Sequence, residues 1–283
     1  MRKVFGTIFV SLGFVVAVSA GLMPLAKPAY SADMTARLTE LANGSWRSEA
    51  DKARNDYRHP VETLNFFGIN DHMSVVELSP SGGWYMEILA PLLKDRGIYY
   101  AAGFSRSDTS DYAKRMIKVM DDKIASHPDL YGKVRITPLR PPATETAADP
   151  IAPEGSADMV LTFRNIHNWL ASGTFPEILA RAHKALKPGG VLGVVEHRAD
   201  PAAPVDEKAK SGYVNEAYII GVIEKAGFKL EAASEINANP KDDHNHPKGV
   251  WTLPPTYSLG DQDRAKYQAI GESDRMTLKF RKI

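Results

Sequence analysis

Three apolar runs settle most of what this chain can fold into. They are 75–85 (VVELSPSGGWY), 157–170 (ADMVLTFRNIHNWL) and 186–198 (LKPGGVLGVVEHR). Each is β-prone and nearly continuous in apolar residues, then turns polar. Continuous apolar character, rather than alternation, marks a strand covered on both faces, as in a parallel sheet packed between helices. The polar ends fall where each strand meets its loop. Open α/β sheets bind ligands at those carboxyl ends.

The helical period fills the intervals. Strands are predicted at 74–78, 98–102, 134–137, 159–163, 191–195, 228–233 and 276–281, and helices at 83–94, 112–124, 175–186 and 215–225. Asn215 is an N-cap residue. Lys187-Pro188-Gly189-Gly190 is a stop-and-turn signal that closes the helix before it. Residues 139–156, rich in Pro, Ala and Thr, are expected as a surface loop. Ahead of the first strand, 34–41, a helix opened by Ser48 and running to about 57, and 61–67 form an expected N-terminal helical cap. The fold class is therefore α/β, with a seven-stranded, mostly parallel sheet. The chain divides into 1–31, the cap at 32–70, and the α/β domain at 71–283 with an insertion at 237–274.

The first 31 residues read as a signal peptide. Arg2 and Lys3 precede an apolar run over 4–20, and small residues offer cleavage after Ala20 (with Val18) or after Ser31 (with Ala29). The run is short for a membrane span, so cleavage is expected, with no stable membrane insertion afterwards and a periplasmic or secreted product. Removing 1–31 takes Arg2, Lys3 and Lys27 and no acid, turning a formal charge of +1 into about −2. That balance, without a basic patch, argues against nucleic acid as a partner. The chain has no cysteine, which excludes disulfides, thiolate metal sites and a catalytic Cys.

The strand order and the motif after the first strand resemble the class I S-adenosylmethionine-dependent methyltransferases. The resemblance covers roughly 70–235 and the C-terminal strand. It implies a Rossmann-like sheet whose seventh strand inserts antiparallel beside the fifth. More narrowly, FRNIHNW, LKPGGVLGVVEHR, SEINANP, HPKGVWTLPP and GESDRM are similar to those of an exported group of predicted methyltransferases. The implied cofactor is S-adenosylmethionine, held by Glu77, Ser79, Ser81, Gly82, Gly83, Arg164 and Asn165. The family usually places glycines where Ser79 and Ser81 stand, and an acid for the ribose at about Gly103. Asp108 and Asp111 follow in the next loop. Weak cofactor affinity is the resulting expectation.

Polar side chains gather at three strand ends: Glu77 after the first, Arg164, Asn165, His167 and Asn168 after the fourth, Glu196, His197 and Arg198 after the fifth. His167, Glu196 and His197 are the candidate catalytic residues, because imidazole titrates near neutrality and a carboxylate can act as a base. Arg164 and Arg198 suit a carboxylate or phosphate. Glu77, Arg164, His167, Asn168, Glu196 and His197 are expected to face one pocket beneath the 237–251 loop. His167→Ala or Glu196→Gln is expected to abolish function with a small loss of stability.

The leading expectation is an exported methyltransferase acting on a small molecule. The alternatives are a periplasmic binding or accessory protein that keeps the fold without the cofactor, and a metal-assisted enzyme using Asp242, Asp243, His244 and His246. No metal ligand is assigned, and the oligomeric state is not specified by the sequence.

Overall fold

The computed structural model describes residues 1, 32–141 and 149–283. The expected signal segment therefore lies outside the described residues, Met1 apart. Among the described residues, no helix is long and apolar enough to cross a membrane.

The strands are β1 (Ser74–Leu78), β2 (Ile98–Gly103), β3 (Arg135–Pro138), β4 (Ala157–Phe163), β5 (Leu186–His197), β6 (Phe228–Ser234) and β7 (Arg275–Lys282). They form one sheet in the order β3-β2-β1-β4-β5-β7-β6. The pairs from β3 across to β5 are parallel, and β7 runs antiparallel between β5 and β6. The connections diverge at β1 and β4, so their carboxyl ends open a crevice.

The apolar runs are buried on both faces, as their composition requires. On one face Val76, Leu78, Val160, Leu192 and Val194 meet α9 (Phe175–Ala185) and α10 (Glu216–Lys225) through Phe175, Ile178, Leu179, Ile219 and Ile223. On the other, Val75, Met159, Leu161, Val191 and Val195 meet α1 (Ala32–Ala42), α4 (Pro60–Phe67) and α5 (Met86–Leu93). The cap is part of this second core: Leu38, Leu41, Leu64 and Phe67 are all at most 1% exposed. Gly193 explains its close seat. A Cβ there would lie 2.9 Å from the Phe67 ring and 2.6 Å from Leu161, so only glycine lets α4 press on mid-β5.

Local signals account for most boundaries. Ser48, Ser110 and Asn215 each accept from the backbone N–H three residues on, capping α2 (Glu49–Lys52), α6 (Asp111–Ser126) and α10. Three expectations need correction. The single helix after Ser48 is split into α2 and α3 (Asn55–Arg58). The helix expected from 83 starts at Met86, because Gly83 takes a φ of 76° and keeps 81–85 as a turn. Residues 187–190 stop α9 as expected but already belong to β5. The strand absorbs them through a register shift opposite Ala157 and Met159, with Gly189 at φ 71°. The insertion contains a 3₁₀ turn (Gly249–Thr252) and α11 (Arg264–Ile270), and α7 (Pro128–Tyr131) and α8 (Ile166–Ser172) complete the helices of the described residues.

Candidate functional site

The loop after β1 has the backbone that alternate glycines would give, but with serines in place. Ser79, Ser81 and Gly83 take φ values of 49°, 52° and 76°. A side chain in this left-handed region costs about 1–2 kcal/mol. The conformation is held by Ser79 N donating to Ala102 O at 2.8 Å and Gly83 N donating to Pro80 O at 2.8 Å. The loop opens onto a cavity of about 510 Å³ between the ends of β1, β2 and β4. Phe104, Met116, Ile117, Met120, Ile136 and Leu139 supply an apolar wall; Ser79, Ser81, Asp108, Asn165 and Asn168 supply polar groups. Gly103 lies in the wall with nothing within 4 Å of an added Cβ. An acid there would project into open space; the carboxylates of the lining are Asp108 and Asp121, and Asp121 is held by Arg106 at 2.6 Å. Backbone, volume and wall chemistry together fit a nucleoside-bearing cofactor.

The second compartment lies behind this cavity, where β4 and β5 end. Arg164 follows β4 in a left-handed conformation (φ 61°) and breaks the strand. Asn165 then donates from Nδ2 to Leu78 O at 3.0 Å, tying the β4 end to the β1 end. The next turn, α8, receives its cap from β5. Glu196, fully buried, accepts from Ile166 N at 2.5 Å, more weakly from His167 N at 3.4 Å, and from its own neighbour His197 N at 2.8 Å. Its Oε1 also lies 2.9 Å from His167 Nδ1. In the neutral ring, a carboxylate there makes Nδ1 the donor and leaves the lone pair on Nε2.

His197 sits beside this pair, with ring centroids 5.2 Å apart, and its Nδ1 meets Ser273 Oγ at 2.5 Å. Burial pushes its pKa well below the usual imidazole range, and Arg164, Arg275, Arg58 and, when protonated, His167 push the same way. It is therefore neutral at pH 7. Glu77 is buried and accepts from Tyr99 OH at 2.5 Å. Burial raises its pKa to about 7 against the opposing pull of Tyr99, Arg164 and Arg58.

Of the six side chains expected in one pocket, only Asn168 lines the cavity, beside Ser79, Ser81 and Asn165, whereas Glu77, Arg164, His167, Glu196 and His197 lie outside its wall. The physical reason is the turn at 164–168. Left-handed Arg164 turns the chain sharply before α8 begins at Ile166, so Asn165 and Asn168 reach the cavity while Arg164 and His167 do not. The 237–251 loop lines none of the cavity and covers the second compartment instead, with Trp251 edge-on to His167 at 5.8 Å.

Asp242 in that loop is a hydrogen-bond hub. It accepts from Tyr213 OH at 2.8 Å, Asp274 N at 2.8 Å and His244 N at 3.0 Å, and pairs with His246 Nε2 at 2.8 Å. Oxygens engaged this fully fix the loop to the approach of β7, and Asp242, Asp243 and His246 offer ligand atoms within 4.8 Å of one another.

Two groups of site residues carried no local signal. The 272–275 segment reads as a polar approach to β7 but is buried throughout. Arg54 and Arg58 of the cap reach Glu272 from more than 200 positions away, with Nε to carboxylate distances of 2.7 and 3.3 Å.

No protein-family model and no curated protein sequence matches this chain. Solved structures do. An S-adenosylmethionine-dependent methyltransferase from Aquifex aeolicus is 14% identical, covers 88% of this chain and 98% of its own, and superposes with a TM-score of 0.53. The geranyl diphosphate C-methyltransferase of Streptomyces coelicolor A3(2) is 10% identical over 86% and 87%, with a TM-score of 0.53. The [4+2]-cyclase SpnF is 14% identical over 85% and 84%, again at 0.53. At such identities the likeness is one of fold, and the chain has the Rossmann-like methyltransferase fold. SpnF is a [4+2]-cyclase, so this fold alone does not fix the reaction.

Proposed function

We propose that this chain is an exported S-adenosylmethionine-dependent methyltransferase acting on a small molecule. The observation that carries the reading is the left-handed Ser79–Gly83 loop opening onto the cavity at the β1/β4 divide. Ser79, Ser81, Gly82 and Gly83 would form the close backbone approach, Asn165 would add a polar contact, and Asp108 would offer the carboxylate for ribose hydroxyls. Bound there, the cofactor supplies a methyl group on a positively charged sulfur, which leaves as a neutral thioether.

The chain's own residues supply the rest. Neutral His197 and the His167–Glu196 pair offer lone pairs to accept the proton of an O–H or N–H acceptor. Asn165 joins the two compartments, since it lines the cavity and anchors the turn that carries His167. The shape of the cavity and the cover of Trp251 restrict water.

Calorimetric titration of the purified protein with S-adenosylmethionine is expected to give saturable binding no tighter than about 1 μM. Asp108→Ala should weaken it roughly tenfold, the size of one lost charge-assisted hydrogen bond. Absence of saturable binding would remove the methyltransferase reading and leave the cofactorless binding protein in its place.

Export is supported by Arg2, Lys3, the apolar run over 4–20 and the small residues before both cleavage points. The isolated protein is expected to begin near Gly21 or Ala32. N-terminal sequencing that found Met1 intact would refute it.

A further inference from the structure

Four arginines converge on one carboxylate between the cap and the strand ends. Glu272 Oε1 lies 2.7 Å from Arg54 Nε, and Oε2 lies 3.3 Å from Arg58 Nε, 3.2 Å from Arg275 Nη1 and 3.8 Å from Arg164 Nη1. Burial pushes the Glu272 pKa up, but the arginines outweigh it and hold the group at about 2, so it is fully ionised. One negative charge then faces four positive ones. Glu77, the next acid the cluster acts on, is pushed to about 7 and offsets only part of the excess. Arg58 and Arg275 are each 3% or less exposed, and uncompensated charge in such a place is costly.

The four are not equivalent. Arg275 is consumed by the fold: Nε donates to Ser273 O and Nη2 to Tyr57 O, each at 3.0 Å. Arg58 lies over the Trp84 ring at 4.6 Å and gives Nε to Glu272. Arg164 is different. Among the described residues its guanidinium makes no hydrogen bond, only the 3.8 Å ion pair, and its side chain keeps 22% exposure. Arg54 keeps 23%, and its Nη2 is buried with no hydrogen-bond partner. Two guanidinium groups therefore hold unused donors, on side chains that are only partly buried, against a fixed positive background. Planar forks of this kind match the oxygens of a carboxylate or phosphate. His197 has an Nε2 that makes no hydrogen bond among the described residues, and its proton is repelled by Arg164, Arg275 and Arg58.

We propose that Arg54 and Arg164 bind the oxyanion of a small acidic ligand, a carboxylate or a phosphate monoester, with Arg58 and Arg275 as the buried charge behind them. That this ligand is the methyl acceptor rests on the methyltransferase reading; the anion site does not. The oxyanion is the recognition handle, and it would place a neighbouring O–H or N–H of the ligand near His197.

The test uses the full protein without cofactor, at constant ionic strength. Inorganic phosphate and acetate are titrated separately by calorimetry, with Trp fluorescence followed because Arg58 covers Trp84. Saturable binding of one anion is expected, phosphate if the natural group is a phosphate ester and acetate if it is a carboxylate. Arg164→Gln should weaken that binding roughly ten- to a hundredfold, and Arg164→Lys by less. The Arg164 guanidinium donates no hydrogen bond to the fold, so the variant should unfold at the temperature of the parent. Arg54→Gln is the second variant and should show the same loss. Saturation by neither anion, or equal affinity in parent and both variants, overturns the proposal. The titration with S-adenosylmethionine is separate: anion binding without cofactor binding retains this site and discards the methyltransferase reading.

Discussion

Replacing Glu196 by alanine should lower the unfolding free energy by about 3–5 kcal/mol, the cost of breaking a buried charged network on one side. The carboxylate is fully buried and faces only donors: the Ile166, His167 and His197 backbone N–H groups and the His167 ring. Removing it leaves these donors buried and unmatched and uncaps α8. Glutamine does not repair this. Its amide NH₂ would confront either the Ile166 N–H or the His197 N–H, and it would reverse the His167 tautomer if that ring turned acceptor. A loss of about 1–3 kcal/mol is expected for Glu196→Gln, larger than the sequence suggested. Urea unfolding of both variants measures it. An alanine variant within about 1 kcal/mol of the parent would show that the carboxylate does not hold this turn.

Glu77→Gln should act in the other direction. The folded protein holds the Glu77 proton with a pKa of about 7, above the ordinary 4.5, because the carboxylate is buried. The folded state therefore binds the proton more tightly than the unfolded chain. Stability contributed by this group is complete below about pH 4.5 and is lost as pH rises through 7. Above pH 8 the accumulated penalty is about 3 kcal/mol. Glutamine carries no charge at any pH and can still accept from Tyr99 OH. The variant should match the parent near pH 4 and exceed it by about that amount at pH 8. Denaturant unfolding across this range gives the comparison, and parallel curves for the two proteins would contradict the assignment.

The sheet was legible because burial on both faces leaves a composition that no exposed segment would carry, as in 75–78 and 191–195. Caps at Ser110 and Asn215 were legible because one side chain and one backbone group, three residues apart, suffice to define them. The Ser79–Ser81–Gly83 spacing preserved a backbone shape that its side chains obscured. The division of the strand-end residues was not legible, since it depends on which way the 164–168 turn rotates. The arginine cluster was hidden more deeply. Arg54 and Arg58 look like any solvated helix face, and their partner is more than 200 residues away. A polar segment such as 272–275 shows its burial only after the sheet is assembled.

The position of β7 has a consequence for the order in which the molecule is made. It separates β5 from β6, and among the described residues β6 pairs with no other strand. The β5 edge, residues 191–197, must wait for partners at 275–281. Loop closure over that distance is slow compared with forming a local helix. During synthesis the first five strands can come together while the β5 edge stays open and Arg54 and Arg58 lack their counter-ion. Such a half-made sheet is the form most exposed to mispairing, and a chaperone that shields a bare strand edge would find its target there.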